Sequence, residues 1–503
     1  MTQPSAATAT GTFCPPTNRK FVLVAAILAS SMGFIDGSVV AIAVPAIRSD
    51  LGASLADAQW VSNGYLLLLA SLMLVGGAAG DRFGVRNVFG FGIAAFVAAS
   101  LGCALAPDVQ VLIVARAVQG LGAAFMVPSS LALIAKAYPK AERGRAIGTW
   151  AAASAFTTVF GPVLGGFLLS WFGDWGWRLV FAINLPLGGL ALALLLGRVP
   201  ADHPEGERRP DVVGGLLATA ALLLLAYGLT GEGGEPPLPS RVLVFGGVGV
   251  LLLGAFLFWE RVSKAPMLPL RLFANRVFAG AQLLTFTLYF ALGAVMFYLP
   301  MTMIGGWGET PLVVSLALMP FGLGLTVVSA AAGRLADRVG AGPPLIAGSL
   351  LVAVAFVLLG VTAPLQSVWL AVVPLMGLFG IGMGLVVSPL STAVMTSVED
   401  ADTGIASGSN NAIARVAGLL AIAAMGGVVA AVFQQQLGGA AELHLFFGLP
   451  PAEPLPPPLE ATRLRATNAA LAAVAYATAG LAVLSAAIAW LTQERRSRST
   501  AGG

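Results

Sequence analysis

The sequence predicts an all-α integral membrane protein with fourteen transmembrane helices, arranged as two six-helix bundles and an inserted two-helix hairpin. Three observations carry this prediction: the composition, the number of apolar segments and an internal repeat. Of the 503 residues, 57% are hydrophobic and 10% are charged, whereas soluble proteins average about 25% charged residues. Because too few polar residues remain to cover soluble domains, the water-soluble enzyme classes are excluded.

Fourteen apolar segments are long enough to cross a bilayer, which takes about 20 helical residues. They lie near 21–47, 55–79, 88–106, 109–134, 146–170, 179–199, 212–230, 241–260, 276–304, 310–333, 342–362, 366–389, 405–432 and 466–491. Most Lys and Arg residues fall in alternate connecting segments, and the positive-inside rule then makes both termini cytoplasmic. The chain has 27 Lys and Arg residues but 23 Asp and Glu residues. We attribute this excess of basic residues to membrane topology and not to nucleic-acid binding.

An internal repeat divides these spans into two related sets. The sequence GAAGDRFG at 77–84 follows the second span, and GRLADRVG at 333–340 follows the tenth. This offset leaves two extra spans between two halves of six. The predicted organisation is a cytoplasmic tail (1–20), an N-terminal bundle (21–199), a linker with the hairpin (200–275), a C-terminal bundle (276–491) with a Pro-rich extracytoplasmic loop (433–465), and a cytoplasmic tail (492–503).

Short motifs occur in order along the first half of the chain. They read DGSVVAIAVP at 36–45, RAVQG at 116–120, GPVLGG at 161–166 and WRLVFAINLP at 177–186, and the loop at 77–87 belongs with them. Together they resemble the fourteen-helix drug:proton antiporter branch of the major facilitator superfamily. The resemblance implies the major-facilitator fold, export in exchange for protons, and a monomer.

Asp36 is the carboxylate that lies deepest in a predicted span. A charge at this depth costs about 2.5–3.5 kcal/mol on insertion scales, so it faces a cavity or a partner. The low dielectric favours the neutral carboxyl, which suits proton uptake and release, although a structural, hydrogen-bonded Asp is the alternative. Arg116 lies at a similar depth in the fourth span. It either responds to the proton on Asp36 or braces helix packing.

Two glycine-containing motifs predict moving parts. The resemblance implies that the repeated loops latch helix ends together, against the alternative of simple positive-inside charge; the residues are Gly77, Asp81, Arg82, Gly84, Arg86, Asp337, Arg338 and Gly340. The fifth span carries the antiporter motif with Gly161, Pro162, Gly165 and Gly166. Small residues at such spacing allow close helix packing, and the resemblance associates them with exporters.

Polar and aromatic side chains in three spans are candidates for the substrate cavity. They are Gln119, Gln282, Thr285, Phe286, Tyr289, Met296, Asn411 and Arg415. A wall of aromatic and Met side chains suits bulky apolar ligands, although packing against lipid explains aromatics equally well. Arg415 either extends toward the cytoplasm or guards an opening on that side.

The function that we predict is proton-coupled, multidrug-type export of small, mostly hydrophobic amphiphiles through a bacterial inner membrane. The alternatives are a dedicated exporter or flippase for one lipid, siderophore or peptide, and, less favoured, a membrane enzyme. No Walker-type loop is present, so the expected energy source is the proton motive force, without a cofactor. The two cysteines and two histidines have no metal-ligand spacing, and no metal site is expected.

Overall fold

The computed structural model describes residues 12–202, 204, 210–232, 235–438, 445–451 and 453–493. Most of both predicted tails, 1–20 and 492–503, therefore lies outside the described residues. The described chain is built from helices: α1 (Arg19–Leu51), α2 (Leu55–Phe83), α3 (Val85–Ala104), α4 (Val109–Ala137), α5 (Lys140–Phe172), α6 (Gly176–Ala182), α7 (Asn184–Arg198), α8 (Val212–Leu229), α9 (Pro239–Arg241), α10 (Gly247–Val262), α11 (Arg276–Met301), α12 (Pro311–Val339), α13 (Gly342–Thr362), α14 (Val373–Thr396), α15 (Thr403–Leu437) and α16 (Pro457–Thr492).

The described residues contain thirteen helical segments that are long and apolar enough to cross a membrane, not the predicted fourteen. The difference lies in one segment of 59 residues, Lys140–Arg198, which contains two predicted spans, 146–170 and 179–199. Gly173–Trp175 forms a 3-10 turn between them, and Gly173 has φ 61°. The helix is interrupted here because only glycine adopts this backbone conformation without strain.

The helices fall into two sets with the same internal packing. In α1–α7, called here the N half, α2 and α3 both pack on α4. In α11–α16, the C half, α12 and α13 both pack on α14. The hairpin of α8 to α10 contacts both halves, since α8 packs on α2 and on α15. Thr219 of α8 shares a hydrogen bond of 2.8 Å with Ser71 of α2, and Leu222 joins a cluster with Leu67 and Leu419.

The sequence repeat corresponds to a repeated turn. Gly84 separates α2 from α3 with φ 87°, and Gly340 separates α12 from α13 with φ 86°. L-residues with a side chain are strained in this region, so glycine is required at both turns. Asp81 and Arg82 lie in the last turn of α2, and Asp337 and Arg338 in the last turn of α12.

The predicted Pro-rich loop 433–465 is shorter than the sequence suggested. α15 continues to Leu437, where Gly438 ends it with φ 53°, and α16 already begins at Pro457. Proline is tolerated at the first helical position because its missing N–H would have no partner there. The proline run therefore ends a loop and starts a helix, and residues 433–437 and 457–465 are helical.

Candidate functional site

Asp36 and Arg116 form a buried ion pair inside the N half. The Arg116 guanidinium donates to Asp36 Oδ2 at 2.6 Å, and the two residues are 1% and 2% exposed. Asp36 lies near the middle of α1, and Arg116 lies about two turns into α4. The similar depth expected from the sequence thus brings the two charges into direct contact.

Polar side chains of α3, α4 and α7 surround this pair. Gln119 Nε2 donates to Asp36 Oδ1 at 3.0 Å and to Ser100 Oγ at 2.9 Å, while Gln119 Oε1 accepts from Arg116 at 2.6 Å. Asn184 donates to Ser100 at 3.3 Å. Gln119, which the sequence analysis assigned to the substrate cavity, is fully buried here and holds both members of the ion pair.

Aromatic rings and a backbone carbonyl complete the environment of Arg116. Its Nε donates to the carbonyl of Val61 at 3.0 Å. The guanidinium carbon lies 4.4 Å from the Tyr65 ring centroid and 5.5 Å from that of Phe181. Cation–π contacts strengthen when water is excluded. Arg116 thus keeps acceptors and aromatic contacts that do not depend on the charge of Asp36.

This arrangement can respond chemically to a proton. Two opposite charges offset each other in a low-dielectric site, whereas one charge without its partner is costly. Protonating Asp36 removes the ion pair but leaves Arg116 its bonds to Val61 and Gln119. In this geometry, a change in the charge of Asp36 would alter the contact between α1 and α4.

The antiporter motif joins α5 to helices of both halves. A Cβ built on Gly165 would lie 2.0 Å from the Val39 side chain of α1, and one on Gly166 would lie 2.3 Å from Ser315 Oγ of α12. Gly161 packs on α1 at Ile35, with a corresponding distance of 3.4 Å. Gly165 and Gly166 therefore permit contacts that side chains would block, within the N half and between the halves, whereas a Cβ on Gly161 would make an ordinary contact. Pro162 lies inside α5 beside them.

The two halves are closed at the end that contains the α1–α2 turn, residues 52–54, called here the closed end. Gln59 Nε2 of α2 donates to Tyr298 Oη of α11 at 2.9 Å and to the Ile422 carbonyl of α15 at 2.6 Å. Arg48, fully buried, donates to the Phe447 carbonyl at 2.6 Å. These bonds connect the N half to the C half and to the segment 445–451.

α5 separates from α12 toward the opposite end. α5 and α12 run antiparallel in contact: the Leu312 N–H donates to Ser170 Oγ at 3.0 Å, and a Cβ on Gly322 would lie 2.9 Å from Val159. If the two helices continued with the same pairing of residues toward their other ends, Gly148 of α5 would lie opposite Gly333 of α12. A Cβ on Gly148, however, would have no atom within 4 Å, and one on Gly333 would meet only Ser388 of α14. The contact between α5 and α12 therefore does not extend to these two glycines.

The first repeated loop is held by a residue that the sequence analysis did not select. Asp202, which follows α7, accepts from the backbone N–H groups of Val85 and Arg86 at 2.9 and 2.8 Å and from Lys136 at 3.3 Å. A carboxylate at a helix N-terminus is favoured by the helix dipole. Arg86 itself donates to the Leu196 carbonyl at the end of α7 at 3.1 Å.

The other members of the repeated loops lie near the surface. Asp81 is exposed and Arg82 is half-buried, with its guanidinium 5.6 Å from the Phe83 ring centroid. A Cβ on Gly77 would have open space around it. Asp337 and Arg338 are exposed at the matching position of the C half.

The candidates for the substrate cavity fall into a buried group and a partly exposed group. Gln282 and Thr285 are buried on α11, and Thr285 donates to Asn410 Oδ1 at 2.6 Å. The partly exposed side chains are Phe286, Tyr289, Met296 and Arg415, and Asn411 is exposed. Arg415 lies within electrostatic range of the hydroxyl groups of Tyr65 in the N half and Tyr289 in the C half.

Sequence reasoning missed Tyr65, Ser100, Gln59, Arg48 and Asp202. Ser100 and Gln59 are polar residues inside apolar spans, which is a usable signal. Arg48 and Asp202 stand in or beside connecting segments, where charged residues are ordinary, so their burial has no local signal. In the described residues, no three His, Cys, Asp or Glu side chains form a potential metal site.

Comparison with known proteins agrees with this architecture. The profile of the Major Facilitator Superfamily matches residues 26–422. Multidrug resistance protein Stp of Mycobacterium tuberculosis is 34% identical over 85% of this chain and 78% of its own length. The tetracenomycin C resistance and export protein of Streptomyces glaucescens is 32% identical over 81% of this chain and 75% of its own.

A solved structure shares the fold at low sequence identity. It is a bacterial homolog of the human lysosomal transporter Spinster, in an inward-facing and unoccupied conformation. The two structures superpose with a TM-score of 0.68 at 17% sequence identity, and the match covers 96% of this chain and 100% of the Spinster homolog. With the profile match and the relatives, the conclusion is direct: this chain is an integral membrane protein that belongs to the major facilitator superfamily.

Proposed function

We propose that this protein is a proton-coupled antiporter that exports small, mostly hydrophobic compounds by alternating access, in the manner of multidrug efflux. The single observation that carries the proposal is the Asp36–Arg116 pair, because a buried carboxylate held by one cation is a group whose protonation changes helix contacts. The relatives named for drug resistance and export support the direction of transport.

The closed end and the separation of α5 from α12 toward the opposite end support alternating access. Bonds such as that from Gln59 to Tyr298 hold the halves together at one end, while Gly148 of α5 and Gly333 of α12 remain apart toward the other. In this proposal the N-terminus is cytoplasmic, so this second end faces the cytoplasm, and substrate enters there. The closed end opens when the halves rock. The repeated loops, with Asp81, Arg82 and Arg86 in the N half and Asp337 and Arg338 in the C half, act as cytoplasmic latches.

The energy source in this proposal is the proton motive force, without a cofactor. A membrane potential of about 100 mV supplies about 2.3 kcal/mol for each charge moved, before any pH gradient is added. The protein acts as a monomer in the lipid of a bacterial inner membrane, with both termini in the cytoplasm. Its partners are protons, lipid and an amphiphilic substrate.

The test is drug susceptibility in a bacterial host that lacks its own efflux pumps. We expect cells expressing the protein to tolerate higher concentrations of at least one amphiphilic antibiotic and to accumulate less of it. A protonophore should abolish the difference in accumulation within minutes of its addition. A difference that survives the protonophore while ATP is depleted would contradict proton coupling, and unchanged susceptibility across the panel would contradict multidrug efflux.

A further inference from the structure

Arg415 places a positive charge between the two halves. It lies twelve residues after the first residue of α15, Thr403, which is about 18 Å along the helix at 1.5 Å per residue. Its helix face is directed toward α2 of the N half: a Cβ on Gly408 would lie 2.9 Å from Leu74, and one on Gly418 4.0 Å from Leu66. Arg415 is on the same face of the helix as these glycines.

No carboxylate in the described part of the chain forms an ion pair with Arg415. Asp36, the acidic residue in the middle of the N half, is already bound by Arg116 and Gln119. The phenols of Tyr65 and Tyr289 lie within electrostatic range of Arg415 and carry no negative charge at neutral pH. The two arginines and one aspartate therefore sum to one positive charge without an acidic partner among the described residues.

α11 and the part of α15 that contacts it offer hydrogen-bond donors and aromatic surface. Asn410 uses its amide oxygen to accept from Thr285, so its NH2 group is the donor that remains. Gln282 is 3% exposed, and neither its amide nitrogen nor its amide oxygen has a partner. Phe286 and Tyr289 follow on the same face of α11 and are half-buried. A guanidinium, amide N–H groups and aromatic rings together suit an aromatic or amphiphilic anion.

We propose that the exported compound carries an anionic group, such as a carboxylate, phosphate or sulfonate, and that Arg415 binds this group while its apolar part lies against Phe286 and Tyr289. This proposal rests on the proposed efflux function and defines its substrate class. Export of an anion carries negative charge outward, and import of a proton carries positive charge inward. An inside-negative membrane potential therefore drives both steps.

Three compounds with one ring system and different charges test the proposal: 2-naphthoate, 2-naphthamide and 2-naphthylmethylammonium. Their affinities for the purified full-length protein are measured from thermal stabilisation at pH values where the first is an anion and the third a cation. We expect the wild type to bind 2-naphthoate about tenfold more tightly than 2-naphthamide, the change of a charge-assisted contact. Arg415→Gln should lose this preference and keep its affinity for 2-naphthamide, which shows that the variant is folded.

Two further variants serve as controls. Arg415→Lys keeps the charge and should retain most of the preference, and Arg261→Gln removes an exposed charge at the end of α10 and should retain all of it. Equal binding of 2-naphthoate and 2-naphthamide by the wild type, tighter binding of the cation, an unchanged preference in Arg415→Gln, or no binding of any probe overturns the proposal. The efflux function is judged separately: transport of the cation by a pH gradient would preserve it while the anion proposal fails.

Discussion

The carboxylate of Asp36 and the guanidinium of Arg116 are 2.6 Å apart, in the interior of the N half, and neither is open to solvent. The pair joins α1 to α4, and α1 also packs against Gly161 and Gly165 of the antiporter motif. A change in the charge of Asp36 therefore acts on a helix that packs against α5, and α5 also contacts α12 of the C half. Coupling between proton and conformation can pass through these contacts.

Replacing Arg116 with Met should destabilise the protein more at about pH 8 than at about pH 5, because a carboxylate that loses its buried partner must remain charged at the higher pH. Breaking a buried pair typically costs about 3–5 kcal/mol. Thermal unfolding of the purified protein across this pH range measures the effect. The double variant Asp36→Asn/Arg116→Met should lose the pH dependence, and a single variant whose stability does not vary with pH would refute the argument.

Replacing Gly166 with Val should open the closed end, because even a Cβ would lie 2.3 Å from Ser315 Oγ and 2.7 Å from the Pro311 carbonyl. The readout is cross-linking between cysteines introduced at Gly148 and Gly333, after Cys14 and Cys103 are changed to Ser. We expect faster cross-linking with Gly166→Val.

The control for this experiment is Gly144→Val on the same helix, where a Cβ meets no atom within 4 Å. It should leave the cross-linking rate unchanged. Equal rates in the parent and in Gly166→Val would show that the glycine does not limit the movement of α5 against α12.

Gln59 and Tyr298 should act together at the closed end. Gln59 Nε2 donates to Tyr298 Oη, and both side chains donate to the Ile422 carbonyl. A double-mutant cycle with Gln59→Leu and Tyr298→Phe should give a coupling free energy of about 0.5–1.5 kcal/mol, the range for a buried hydrogen bond. Thermal unfolding supplies the four stabilities, and strictly additive effects would mean that the bond contributes nothing.

Replacing Asp202 should lower the stability of the protein, whereas replacing Asp81 should slow transport. Asp202→Ala removes the acceptor for two N–H groups at the start of α3 and should destabilise the protein by about 1–2 kcal/mol, as loss of a helix cap does. Asp81→Asn alters an exposed side chain and should preserve stability while slowing transport if the loop is a latch. Measuring unfolding and transport for both variants tests this, and a stable Asp202→Ala protein would contradict the capping role.

Much of the fold could be predicted because membrane burial imposes a pattern on the sequence. Apolar length gave the spans, and the repeated Asp-Arg-x-Gly sequence identified the turns at Gly84 and Gly340. The Asp36–Arg116 contact could also be expected, since two charges at one depth have few other partners. The spacing of Gln119 from Arg116 put both on one face of α4 but did not say whether that face met Asp36 or a cavity.

The remaining site depends on contacts between distant segments. Arg48 bonds to a carbonyl 399 residues away, and Asp202 caps a helix that starts 117 residues earlier. Neither pairing leaves a local pattern in the sequence. A charged residue beside a span is interpreted as a marker of membrane topology, whether or not its side chain is buried. The predicted bounds of the Pro-rich loop, 433 and 465, were wrong for a related reason. Prolines favour both loops and the first turn of a helix, and the helices extend to Leu437 and from Pro457.

The most direct test of the central claim is transport by Asp36→Asn in proteoliposomes, with a compound identified from the susceptibility panel. Asn preserves the size of the side chain but cannot gain or lose a proton. We predict that a pH gradient no longer drives uphill accumulation by the variant, whereas exchange of labelled for unlabelled compound persists without a gradient. Uphill accumulation at the wild-type rate would contradict the assignment of proton coupling to Asp36.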